Sequence, residues 1–140
     1  MVLWIFGKSV ESAVGHFKFI AFYLLCGCCA AAAQVAMAPD STTPMIGASG
    51  AISGVLGAYL LLYPRARVLL LVPIWFFLEF IRVPAVIMLL FWFALQLFSG
   101  WASQAAAQAG GVAFWAHVGG FLAGMALIVP FKKRGVRLFQ

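Results

Sequence analysis

The chain has 140 residues, of which 66% are hydrophobic and 9% charged, and it carries a formal net charge of +6. No soluble domain of this size can hide so much apolar surface, so the composition excludes one and requires a membrane. The positive charge alone would suit a nucleic acid, but its distribution along the chain argues against that partner.

Four apolar segments can be drawn as membrane spans, at residues 17–37, 46–63, 84–98 and 112–131. All four are predicted to be helical, because backbone amides in hydrocarbon must be satisfied within their own segment. Lys8 and Lys18 lie at the head of the first span, Arg65 and Arg67 follow the second, and Lys132, Lys133, Arg134 and Arg137 follow the fourth. All eight fall on one side, which the positive-inside rule makes cytoplasmic. Asp40 and the polar stretch 99–111 then lie outside. The basic tail reads as a topology signal and a contact for lipid headgroups, with no nucleic acid.

The first span carries Cys26, Cys28 and Cys29, which lack the paired spacing of a zinc or redox site and read as small packing residues within the bilayer. Residues 67–84 are apolar but contain Pro73, Glu79 and Arg82, which suits an interfacial or partly buried cytoplasmic segment better than a span. Were it helical, Glu79 and Arg82 at i and i+3 would pair in a structural role. Neither a cleavable signal peptide, a long linker nor an internal repeat is visible, so residues 1–140 are expected to form one all-α membrane domain.

The second span opens on Gly47-Ala48-Ser49-Gly50-Ala51-Ile52-Ser53-Gly54, and the fourth contains Ala116-His117-Val118-Gly119-Gly120-Phe121-Leu122-Ala123-Gly124. An ionisable group inside a bilayer is costly enough to mark a functional site. A hydroxyl on one helix and an imidazole on another are the parts of a nucleophile and base pair, which points to a serine hydrolase working within the membrane. Ser49 stands 16 residues before Arg65 and His117 stands 15 before Lys132. Those separations are ~24 and ~22 Å along a helix, so the two levels agree within about one turn.

Small residues at helical spacing support the same pairing. Gly50, Gly54 and Gly57 recur at i, i+4 and i+7, and His117, Gly120 and Gly124 at i, i+3 and i+7, two faces suited to close packing. Gly47 and Gly50 bracket Ser49 at a helix N-terminus, where free amides and the positive dipole end can stabilise an oxyanion. Ser53 is expected only to bond back to a carbonyl of its own helix. No acidic residue lies at the depth of His117, so a dyad is expected, with the imidazole oriented by packing against Phe114 and Trp115.

Gly47-x-Ser49-Gly50 followed by Ala116-His117-x-x-Gly120-x-x-x-Gly124 resembles the rhomboid family of intramembrane serine proteases. Glu11-x-x-x-Gly15 resembles the cytoplasmic turn between that family's second and third helices, Gly27 with Gln34 resembles its third helix, and Trp4-Ile5-Phe6-Gly7 the end of its second. The resemblance implies a polytopic helical bundle around a water-filled cavity, here four full transmembrane helices and the end of another. It implies Ser49 as nucleophile, His117 as general base and acid, Gly47 and the Ser49 amide at the oxyanion, and Gly120 and Gly124 as packing residues. Substrates would be transmembrane proteins, cut where their helices unwind easily and reached beside residues 84–98. No metal or organic cofactor is implied. Short loops and the lack of a transit peptide favour a bacterial inner membrane.

Active members of the family carry His-x-x-x-Asn earlier in the second helix, to complete the oxyanion hole, and a first helix before it. Neither precedes Trp4 here. Losing one oxyanion donor lowers turnover by ~10²- to 10³-fold, so these 140 residues alone are expected to be inactive. A catalytically dead relative that holds transmembrane clients is the principal rival, although it would need neither Ser49 nor His117. A channel is a weaker one, since below Ser53 the second span offers only Gly57 and apolar side chains.

Overall fold

A π-helical turn, Leu3–Gly7, runs directly into helix α1, Lys8–Val14, in a computed structural model that describes residues 3–40, 48–74, 77–105 and 113–140. The chain reverses at Gly15, whose φ of +96° is open to glycine and strained for any other residue, and continues as α2, His16–Met37. Then follow α3, Ser49–Leu62; strands β1, Arg67–Ile74, and β2, Phe77–Pro84; α4, Ala85–Ala105; and α5, Phe114–Phe131. The architecture is a helical membrane bundle.

Three of these helices, α2, α4 and α5, are long and apolar enough to cross a membrane. α3 is a shorter apolar helix of 14 residues, ~21 Å, and the start of the second expected span, at 46 and 47, lies outside the described residues. Ten of the 14 are buried, against α2 and α5 above all, so α3 is the axis of the bundle and protein surrounds it. The outer helices instead expose Phe17, Leu24, Phe91 and Phe98 as a lipid-facing surface.

The direction of each helix follows from its contacts. Ala30 and Cys26 of α2 meet Gly50 and Gly54 of α3, and Gln34 and Phe22 of α2 meet Ala116 and Phe131 of α5, so α2 is antiparallel to both. Gln96 and Phe93 of α4 meet His117 and Phe121, again antiparallel. α3 and α5 are therefore parallel. The buried core joins Val10 and Val14 of α1, Phe22 and Cys26 of α2, Val55 and Leu62 of α3, Leu89 of α4, and Phe121 and Ile128 of α5.

β1 and β2 pair antiparallel where a helix was the alternative, with Arg67 opposite Pro84 and Val72 opposite Glu79. Their β-branched and aromatic content favours a strand, and Pro73 would break a helix interior. Positions 79 and 82 then lie on opposite faces of a ladder, and the helical spacing their pairing required is absent. The Ala85 N–H donates to Ala66 O at 2.7 Å and closes the base, so the chain re-enters the bundle on the side it left.

Two smaller expectations also change. Helix α4 continues past 98 to Ala105, because Gly100 is a packing position, not a loop glycine. Of the three cysteines only Cys26 packs inside; Cys28 and Cys29 are exposed, since each residue turns the helix by ~100°. At the basic end, the Lys133 N–H and Nζ donate to Ala13 O and Ser12 O, and the Phe139 and Gln140 N–H groups donate to Leu61 O and Leu62 O. The tail thus supplies donors to the last carbonyls of α1 and α3, which no helical amide reaches.

Candidate active site

Helices α3 and α5 touch through their backbones. A Cβ on Gly120 would overlap the carbonyl of Gly50, one on Gly124 the carbonyl of Gly54, and one on Gly57 the carbonyl of Phe121. On the α2 side, a Cβ on Gly50 or Gly54 would come within 2.5 Å of Ala30 Cβ or Cys26 Cβ. Only glycine allows three helices to converge this closely, which is the use membrane helices make of small residues.

The contact fixes the levels of the two candidate catalytic groups. Ser49 precedes Gly50, which lies against the backbone of Ala116, the neighbour of His117. Ser49 is the first residue of α3 and is exposed, and among the described residues the helix opens with the Ile52 N–H donating to Ala48 O at 3.0 Å. Gly47 lies outside the described residues. Ser53 Oγ donates to Ser49 O at 2.8 Å, within its own helix.

His117 is half-buried one turn into α5. Its Nδ1 lies 2.7 Å from Oε1 of Gln96 on α4, and the Trp92 ring stands 5.9 Å from the imidazole centroid. Trp92 and Gln96, at i and i+4, share the face of α4 turned to α5. Phe114 and Trp115, the expected aromatic neighbours, both lie against Gly100, and among the described residues Trp115 Nε1 is buried without a hydrogen-bond partner. Among the described residues no hydrogen bond joins Ser49 to His117, and such bonds commonly tighten only when substrate is bound.

Gln34 reaches across from α2 to accept the Ala116 N–H at 3.1 Å, an amide beside His117 that also donates to Ala113 O at 3.1 Å in the first turn of α5. The sequence reading passed over Gln96 and Trp92. The available signal was an uncharged polar side chain within an otherwise apolar span. Among the described residues no three His, Cys, Asp or Glu side chains gather closely enough to hold a metal ion.

The Rhomboid domain model matches residues 1–134 of the chain. No curated protein and no solved structure matches it.

Proposed function

The chain belongs to the rhomboid family of intramembrane serine proteases, and on that premise we propose that the protein carrying it, as expressed from its own locus, cleaves transmembrane proteins through a dyad of Ser49 and His117. The observation that carries this reading is the glycine contact of α3 with α5, because it brings both residues to one level from separate helices. In the proposed reaction, His117 Nε2 takes the Ser49 Oγ proton as the oxygen attacks a peptide carbonyl. The negative charge that develops is stabilised by the Ser49 amide and the positive end of α3, together with Gly47. His117 then protonates the leaving amine, and a water activated by the same imidazole hydrolyses the acyl enzyme. The basic end of the bundle, with the C-terminus, faces the cytoplasm.

A relative that holds clients without cutting them makes the opposite prediction for one substitution. The gene is expressed from its own locus beside a transmembrane reporter, with the parent compared to Ser49→Ala. Cleavage that disappears in Ser49→Ala supports the protease. Reporter left whole in both strains, but captured equally by both, supports the client binder.

A further inference from the structure

We propose that Gln96 is a positioning residue for the His117 base, an inference that rests on the protease reading above. The contacting atom of Gln96 is its carbonyl oxygen, 2.7 Å from His117 Nδ1. A carbonyl oxygen only accepts, so Nδ1 carries the proton and donates it. A neutral imidazole has one such proton, and its lone pair is therefore on Nε2, the atom that must receive the Ser49 proton. In water a histidine samples both tautomers and all ring orientations; here the amide selects one of each.

The surroundings favour this role over simple helix adhesion. Trp92, on the same face of α4, stands against the ring and restricts its rotation. Phe93 stacks on Phe121 with ring centroids 4.6 Å apart, which holds α4 against α5 one turn below the imidazole. No carboxylate is needed for the orientation. An amide orients the base without placing a charge among apolar side chains, where a charge is expensive. The dyad thereby acquires a third, neutral member on a third helix.

The chain has two histidines, and His16 is exposed at the far end of the bundle, so the His117 imidazole is readily assigned by ¹⁵N NMR of histidine-labelled protein. The parent is expected to show His117 protonated at Nδ1. Gln96→Met keeps the length but removes the acceptor, and should lose that tautomer preference. Its kcat should fall by roughly 10- to 100-fold with KM unchanged, a part of the ~10²- to 10⁴-fold that a positioned general base contributes. Gln96→Glu retains an acceptor and should retain the tautomer.

A parent protonated at Nε2, or a Gln96→Met protein with the parent's tautomer, overturns the proposal. Should Gln96→Met fail to fold, the parent and Gln96→Glu spectra still decide it. A tautomer that depends on Gln96 in a protein without Ser49-dependent hydrolysis would leave the orientation standing and remove the protease reading instead.

Discussion

Gly50 and Gly120 meet backbone to backbone, so closely that a single methyl group on Gly120 would overlap the Gly50 carbonyl. The neighbour of one is Ser49, and His117 lies one turn before the other. The spacing of the two candidate catalytic residues is thus set by an absence of side chains, and it is sensitive to any that are added.

Gly120→Ala and Gly124→Ala should each destabilise the protein by about 1 to 3 kcal/mol, because the obstructing atoms are backbone carbonyls that cannot move aside. Gly27→Ala is the control. Its Cβ would rest 3.5 Å from Ala51 Cβ, an ordinary contact, and alanine is the better helix former. Thermal unfolding in detergent should therefore lower the midpoint for the first two and leave the third at or above the parent.

Gly15→Ala should be costly for a different reason. The nearest atom to an added Cβ is Lys133 Cε at 3.6 Å, so space is ample, but φ +96° with ψ 152° is a conformation essentially reserved for glycine and would cost a side-chain-bearing residue about 1 to 3 kcal/mol. The same unfolding measurement should show that loss, with Gly135→Ala, which has open space around it, as its neutral counterpart.

Topology gives a third expectation. Asp40→Cys should be labelled by a membrane-impermeant maleimide on intact cells, and Arg134→Cys only after the membrane is opened. Labelling of Arg134→Cys from outside would invert the bundle and place the Ser49 level in the wrong half of the bilayer.

The helical bundle was legible from the length and apolar content of α2, α4 and α5, and from basic residues confined to alternate ends. The bond of Ser53 to its own helix carbonyl was legible too, since a hydroxyl among apolar neighbours has few other partners. The strand pair was not, because a run apolar on every face carries no period to separate strand from helix; only Pro73 and the β-branched residues hinted at it. Gln96 was not legible as a site residue, because an amide does not titrate and one polar side chain in an apolar span carries little signal. The end of α4 was drawn early because Ser99 and Gly100 look like a loop in sequence, whereas Gly100 gives Trp115 room. Phe114 and Trp115 were chosen by nearness in sequence, but the neighbours of His117 come from another helix.

The most direct measurement of the central claim is covalent labelling of Ser49 by a fluorophosphonate, in membranes from cells expressing the gene at its own locus. The account predicts a labelled Ser49 in the parent and in Ser53→Ala, and none in Ser49→Ala or His117→Ala. Equal labelling of parent and His117→Ala would contradict the dyad, and no labelling of the parent would contradict the protease.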